Sequence, residues 1–288
     1  MAQQPGWREH RLSVADHELA WYQAGAGPEV VLLHGCYDSL LYRPLAELFA
    51  PRHRCILYDQ RGGGASTLQP RDAESLRVEK FLDDLERLRR HLGLEKLRLI
   101  GHSWGATLGL LYAGRFPQRV DRLVLIGMGP VSAEMRAVYK ANVLRMMRPE
   151  DRPRWPEVNG RYSAARRRGH VRPEVDEANI RMWSPVMFYS SEHAERFVAE
   201  YLRAGGWRRH VPSATGFHRE DALAEAHRIT APVLVVYGYQ DYEPITQAYL
   251  LAERIRQARL LLLNECGHMA WWDQPKLLAA EVEGFLSE

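Results

Sequence analysis

Residues 97–112 read LRLIGHSWGATLGLLY and place a strand pattern, a serine-bearing turn and a helix pattern next to one another. An apolar run of strand length, Leu97–Ile100, comes first, and apolar residues at helical spacing, Ala106–Tyr112, come last. Between them, Gly101–Gly105 has the form G-x-S-x-G. A turn of this form between a strand and a helix exposes its serine hydroxyl beside free backbone N–H groups. The stretch therefore predicts that Ser103 is a nucleophile.

Two residues late in the chain could activate such a serine. Asp241 follows the apolar strand pattern Val233–Tyr237, and His268 follows a second strand pattern, Leu260–Leu263. A histidine can take the serine proton, and a carboxylate fixes the tautomer of that histidine and stabilises its charged form. The carboxyl ends of parallel strands meet at one edge of a sheet, so the three side chains can come together there. We predict a Ser-His-Asp triad, with Glu243 as the alternative acid.

The remaining chain alternates strand and helix patterns on either side of an irregular middle. This alternation is typical of a mostly parallel, doubly wound α/β sheet, and an N-terminal hairpin around Asp16 precedes it. From residue 130 to residue 226 the strand patterns stop, and helical stretches predict an inserted lid. The predicted domains are therefore a core at 1–129 and 227–288 and a helical lid at 130–226. The other predicted core elements are strands at Val30–Leu33, Arg54–Tyr58 and Arg122–Ile126, and helices at Val78–Leu92, Thr246–Arg256 and Lys276–Leu286.

Composition and charge exclude several classes of protein. The 288 residues are 46% hydrophobic and 26% charged, as in an ordinary globular protein. No apolar run approaches the length of a membrane span, and the first residues lack a signal-peptide pattern, so we expect a cytoplasmic protein without a membrane partner. The net charge of +3 is modest and scattered, which argues against nucleic-acid binding. The basic cluster of Arg166, Arg167, Arg168, His170 and Arg172 is predicted to be a solvated loop.

The sequence carries no recognisable cofactor or metal motif. The loop Asp59–Ser66 is rich in glycine but lacks the Gly-Lys-Ser/Thr ending of a phosphate-binding loop. It also does not open a helix, as a dinucleotide-binding fingerprint would. Cys36, Cys55 and Cys266 have no metal-type spacing, so we expect reduced thiols. Neither a cofactor nor a metal is predicted.

Three stretches make the chain similar to a known superfamily. The loop Asp59–Ser66, the helix pattern Asp84–Arg89 and the motif Gly101–Leu108 resemble the α/β-hydrolase fold superfamily, and within it the proline iminopeptidase-like branch of serine peptidases. The resemblance implies an α/β-hydrolase fold with a lid over the active site. It also implies an oxyanion hole formed by the backbone N–H groups of Cys36 and Trp104.

The loop His34–Asp38 departs from that branch. It reads HGCYD where the branch has His-Gly-Gly-Pro-Gly, and it borders the acyl site and the amino end of a substrate. Hydrolysis of a small ester or amide is therefore predicted ahead of the removal of N-terminal residues. An aminopeptidase would also need carboxylates to bind the ammonium group of its substrate. The candidate pocket residues come from this loop and from the lid: Tyr37, Asp38, Trp183, Met187, Phe188 and Glu192.

Three functions therefore remain open. The first is a serine hydrolase acting on a small-molecule ester or amide, or on a short peptide. The second is a ligand receptor that keeps the triad but turns over little substrate. The third is a hydrolase that uses the same triad on another bond, such as a carbon–carbon bond. Ser103 argues against dehalogenases and epoxide hydrolases, which would need an aspartate in its place.

Overall fold

The computed structural model describes residues 6–14, 16–168, 171–206, 214 and 220–288. Within these residues the strands form one sheet: β1 (Arg8–Ser13), β2 (His17–Ala24), β3 (Glu29–Leu33), β4 (Arg54–Tyr58), β5 (Thr67–Leu68), β6 (Leu97–His102), β7 (Val120–Ile126), β8 (Val233–Gly238) and β9 (Ala258–Leu263). Their order is β1-β2-β4-β3-β6-β7-β8-β9, with β5 paired to β2. The first two strands form an antiparallel hairpin, and the strands from β4 to β9 along this order are parallel. The predicted mostly parallel α/β sheet is confirmed.

Helices cover both faces of this sheet. In chain order the described residues contain α1 (Arg43–Glu47), α2 (Val78–His91), α3 (Trp104–Arg115), α4 (Ala133–Met146), α5 (Trp155–Arg167), α6 (Pro173–Met187), α7 (Ser191–Arg203), α8 (Glu220–Ala226), α9 (Ile245–Arg254), α10 (Ala270–Asp273) and α11 (Pro275–Ser287). On β3, Val31 belongs to the apolar cluster under α2, α3 and α9, whereas Leu32 belongs to the cluster under α1, α6, α7 and α11. Burial on both faces explains why β3 and β8 are almost continuous apolar runs.

The insertion after β7 is helical. In the described part of this segment, α4 to α7 follow one another without a strand, and α6 packs against both α5 and α7. The last helix within the predicted lid range 130–226 differs from the others, because α8 packs against α3 of the core, where Ala222 and Ala226 join the apolar cluster under α3. We therefore propose that the lid consists of α4 to α7 and ends before α8.

The basic cluster differs from the predicted solvated loop. Arg166 lies within α5, is half-buried, and has its guanidinium 5.9 Å from the ring centroid of Tyr162. Arg168 and Arg172 are exposed, and His170 lies outside the described residues. The prediction was wrong for Arg166 because the helical pattern of α5 extends into the basic run and turns this side chain towards the lid interior.

Neither a membrane span nor a metal cluster is found in the part of the chain that the structure describes. No helix there is long and apolar enough to cross a membrane. Among the same residues, no group of three or more His, Cys, Asp or Glu side chains could hold a metal ion. The three cysteines are free thiols, with Cys36 exposed and the other two buried.

Candidate active site

Ser103 lies on the sharp turn between β6 and α3. Its φ of 54° falls in the left-handed region, which costs a non-glycine residue about 1–3 kcal/mol. Gly101 lets β6 and α3 approach, since a Cβ there would lie 2.4 Å from the carbonyl oxygen of Gly105. Gly105 lets α3 approach β3, since a Cβ there would lie 1.9 Å from the carbonyl oxygen of Leu33. The backbone N–H of Ser103 donates to the carbonyl of Ile126 in β7 at 2.9 Å. The turn is therefore held by contacts inside the core.

His268 and Asp241 meet beyond the carboxyl ends of β9 and β8. The Nδ1 atom of His268 lies 3.1 Å from each carboxylate oxygen of Asp241, and both side chains are buried. The backbone N–H of Glu243 donates to Oδ1 of Asp241 at 2.9 Å and so orients the carboxylate. Gly127 leaves room for the pair, because a Cβ there would lie 2.9 Å from Nδ1 of His268. With the Nδ1 proton facing a carboxylate, Nε2 carries the lone pair that can accept a proton.

A cavity of about 260 Å³ lies over the serine turn. Ser103 and His268 both line it, and so do Cys36 and Trp104, the two residues whose N–H groups the resemblance assigns to an oxyanion hole. The structure thus brings the predicted nucleophile, base and oxyanion residues to one cavity. Three of the predicted pocket residues line it as well: Tyr37, Trp183 and Met187.

The other three predicted pocket residues do not line this cavity. Asp38 is buried and lines a separate cavity, which Asp59 also lines. Phe188 packs among aromatic rings, with its centroid 5.3 Å from that of Phe197. Glu192 is exposed near the start of α7. Asp38 and Phe188 each directly follow a lining residue, and adjacent side chains point in different directions, so proximity in sequence was a poor guide.

His102 is a buried site residue that the sequence analysis treated only as a variable position of the motif. Its Nε2 lies 3.0 Å from the carbonyl oxygen of His268, so Nε2 carries the proton and donates it. Its Nδ1 therefore accepts from the hydroxyl of Tyr42, also at 3.0 Å. Burial, together with the nearby His268, lowers the pKa of His102 well below its ordinary value. A histidine at the end of a strand that is apolar apart from Arg98 was the signal that could have revealed it.

A second buried histidine supports the loop that carries Cys36. His34 accepts a hydrogen bond at Nε2 from the backbone N–H of Gln60 at 3.0 Å. The Gln60 side chain donates back to the His34 carbonyl at 2.7 Å and accepts from the Trp104 indole at 2.8 Å. Burial lowers the pKa of His34, so the ring stays neutral and can accept. This network joins the two loops predicted to supply the oxyanion donors.

Comparison with known proteins places this site in a family. The family model described as alpha/beta hydrolase fold matches residues 28–275. The chain belongs to the alpha/beta hydrolase fold family. This assignment confirms the predicted superfamily and the prediction that the protein is a hydrolase.

Several relatives of this hydrolase are similar over most of its length. A proline iminopeptidase from Saccharolobus solfataricus is 26% identical, covering 92% of this chain and 86% of that protein. One from Elizabethkingia meningoseptica is 24% identical, covering 92% of each. Among solved structures, a proline iminopeptidase from Mycobacterium smegmatis has a TM-score of 0.71 at 21% identity, covering 97% of this chain and 98% of that chain. A 2-hydroxy-6-oxo-6-phenylhexa-2,4-dienoate hydrolase from Rhodococcus has a TM-score of 0.72 at 20% identity, covering 99% and 100%.

These relatives confirm the predicted resemblance to the proline iminopeptidase-like branch, and the two solved structures establish the shared fold. The cavity of this hydrolase also has an acidic residue, Glu243, in its lining. The residue is buried, lines the cavity with Ser103, and follows Asp241 by two positions. From the sequence, Glu243 was predicted only as the alternative acid. The imidazole of His268 faces the carboxylate of Asp241 and not that of Glu243.

Proposed function

We propose that this hydrolase cleaves a small ester or amide through an acyl-enzyme on Ser103. The observation that carries the proposal is that the cavity containing Ser103 also contains His268, whose Nδ1 is bound by Asp241. A histidine held in this way has Nε2 available to accept the serine proton. A bare serine hydroxyl is a weak nucleophile, so this arrangement would supply the activation it needs.

In the proposed mechanism, His268 Nε2 removes the Ser103 proton as the hydroxyl oxygen attacks the substrate carbonyl carbon. The carbonyl oxygen takes up the negative charge and is stabilised by the backbone N–H groups of Cys36 and Trp104, at about 3 kcal/mol per donor. Collapse of this intermediate breaks the bond to the leaving group, which receives the proton from His268. A water molecule, deprotonated by the same imidazole, then hydrolyses the acyl-enzyme.

A second candidate is the release of N-terminal residues from short peptides. Glu243 favours it, because an aminopeptidase must hold the substrate ammonium group and this buried carboxylate lies in the wall of the cavity. The proline iminopeptidases among the relatives add support from similarity. The altered loop His34–Asp38 argues against aminopeptidase activity, so we rank this candidate second.

One set of rate measurements tests both candidates. We would compare kcat/KM for prolyl and alanyl nitroanilides, for their N-acetylated forms and for short-chain nitrophenyl esters, with Ser103→Ala as the blank for each. Turnover that disappears in this variant, which should retain the wild-type melting temperature, supports the acyl-enzyme. Turnover that persists after contaminating enzyme is excluded contradicts it. Acylation without turnover would point to the receptor.

The Glu243→Gln variant separates the two candidates. If Glu243 binds an ammonium group, removal of its charge should lower the ratio of kcat/KM for free-amine anilides to that for esters by about thirtyfold or more. Glu79→Gln is the matched control, since Glu79 is a half-buried residue of α2 that does not line the cavity. An unchanged ratio would leave ester or blocked-amide hydrolysis as the function.

A further inference from the structure

A buried carboxylate outside the predicted triad connects the loop of His268 to the lid. The side chain of Asp273, at the end of α10, is fully buried. Its Oδ2 atom accepts the backbone N–H of Gly267 at 2.9 Å, and Gly267 directly precedes His268. The same oxygen accepts the backbone N–H of Tyr189 at 2.9 Å, just beyond the end of α6. One atom thus binds both segments.

The second oxygen of Asp273 binds the lid alone. Oδ1 lies 2.9 Å from Nδ1 of His193 and 3.4 Å from the backbone nitrogen of Ser190. A buried carboxylate is stable only when paired or richly hydrogen-bonded, and these donors meet that need. If the lid moved away, Asp273 would lose three of its four donors, so the carboxylate favours the state in which the lid and the histidine loop are joined.

The backbone of His268 has a further contact with the same part of the lid. Its N–H donates to the carbonyl of Met187, the last residue of α6, at 2.7 Å. A Cβ at Gly267 would lie 2.6 Å from that carbonyl oxygen, so glycine is needed for the approach. Met187 therefore binds His268 directly, whereas Tyr189 is joined to Gly267 through the carboxylate of Asp273.

The turn that carries His268 is held by hydrogen bonds to groups outside it, among them the side chain of Gln240, which accepts from the backbone N–H of Cys266 at 2.9 Å. Glu265, three residues before His268, adopts a positive φ of 50°, a conformation that the surrounding contacts must stabilise. The backbone N–H groups of Gly267 and His268 donate to Asp273 and Met187, and the His268 carbonyl accepts from the ring of His102. The position of the imidazole thus depends on groups outside the turn.

We propose that Asp273 is a positioning residue that sets the distance between the His268 imidazole and Ser103 by locking Gly267 to the lid residue Tyr189. The inference rests on the proposed function. It differs from the role of Asp241, which binds the imidazole itself, because Asp273 acts only through backbone groups. A displacement of about 1 Å in a catalytic group can lower a rate about a hundredfold.

The test compares three variants in ester hydrolysis. Asp273→Ala removes both acceptors and should lower kcat about ten- to a hundredfold, with KM within about twofold of wild type. Asp273→Asn keeps an oxygen for Gly267 and Tyr189 while its amide donates to a neutral His193, so it should restore kcat to within about threefold of wild type. Glu86→Ala is the control, because Glu86 is a buried carboxylate that binds Arg89 and Tyr112 far from the cavity.

Thermal unfolding and the rate at which a fluorophosphonate labels Ser103 complete the design. Asp273→Ala should slow labelling in parallel with kcat, whereas Glu86→Ala should lower the melting temperature and leave labelling unchanged. Equal kinetics for Asp273→Ala and Glu86→Ala at equal loss of melting temperature would overturn the inference. So would a failure of Asp273→Asn to restore kcat.

Two further arms keep the result unambiguous. If Asp273→Ala does not fold, Asp273→Glu replaces it, because the extra methylene displaces the carboxylate while keeping its charge; wild-type kcat in that variant would overturn the inference. If the fluorophosphonate fails to label the wild-type protein at Ser103, the proposed function itself fails. If the wild-type protein is labelled at Ser103 and Asp273→Ala has the same labelling rate and kcat, only the role of Asp273 is contradicted.

Discussion

The turn that carries Ser103 and the loop that carries His268 are positioned in different ways. The serine turn is fixed by its own neighbours, through glycines that let β6 and α3 meet and a hydrogen bond to β7. The histidine loop is fixed by groups outside its turn: the carbonyl of Met187, the ring of His102 and the carboxylate of Asp273. The nucleophile is thus held by the core alone, while the base is held by the core and the lid together.

Because of this difference, substitutions in the two regions should affect different properties, namely stability in one region and catalytic rate in the other. Damage to the serine turn should disturb the packing of the sheet, because the contacts that hold the turn are also contacts between strand and helix. Substitutions that remove hydrogen bonds to the histidine loop should leave the sheet intact and alter catalytic rates, because those bonds lie beyond the carboxyl ends of the strands. Three substitutions probe this distinction, in order of decreasing expected effect.

Asp241→Asn should have the largest effect. An amide in place of the carboxylate can present its NH₂ group to Nδ1 of His268, which favours the tautomer with the proton on Nε2 and removes the base. We expect kcat/KM to fall about 10⁴-fold while the melting temperature changes little, as measured by ester hydrolysis and calorimetry. Asp121→Asn is the control, since Asp121 forms a partly exposed pair with Arg98. A loss below about tenfold would mean that Glu243 acts as the acid.

Gly105→Ala tests the serine turn. The added Cβ would lie 1.9 Å from the Leu33 carbonyl oxygen, so α3 and β3 must separate. We expect the free energy of unfolding to fall by about 3 kcal/mol, with activity lost in proportion to folded protein. In Gly284→Ala the new Cβ meets nothing within 4 Å and sits in α11, so stability should rise by about 0.5–1 kcal/mol. Denaturant unfolding compares them; full stability in Gly105→Ala would contradict this account.

What could be predicted from the sequence follows the same division. The sheet strands and the turn at Ser103 are set by local patterns, and local patterns are visible in a single sequence. Asp241 and His268 were also predictable, because each follows the carboxyl end of a strand in a parallel sheet. Their contact at 3.1 Å agrees with that reasoning.

The surroundings of these residues could not be predicted in the same way. Phe188 was predicted as a pocket residue from the composition of the lid, and Asp38 and Glu192 were predicted as carboxylates, but which side chains face the cavity depends on how the chain packs. Asp273 was not predicted because its partners in the lid lie about eighty residues earlier, and no local pattern encodes that pairing. Glu243 was noticed for its proximity to Asp241, while its place in the cavity wall required the fold.

His102 lies between the two regions and gives the smallest expected effect. Burial lowers the pKa of His102 in the folded protein below the value of about 6.5 that it has in the unfolded chain. Below pH 6.5 the unfolded chain therefore takes up a proton here that the folded protein does not, and the free energy of unfolding falls as the pH falls, by up to about 1.4 kcal/mol per pH unit for each such histidine. Full stability from this group is reached above that pH.

His102→Gln removes the imidazole that takes up this proton in the unfolded chain. Its amide keeps an N–H group that can donate to the His268 carbonyl. Denaturant unfolding between pH 7.5 and pH 5 should show a shallower fall in stability than in wild type. The slope should not vanish, because burial also lowers the pKa of His34. Ester hydrolysis should change by less than about threefold, since the hydrogen bond joining the serine turn to the histidine loop is retained. An unchanged pH slope would mean that His102 takes up its proton in the folded protein, and the two regions would then be joined by a charged group instead of a neutral one.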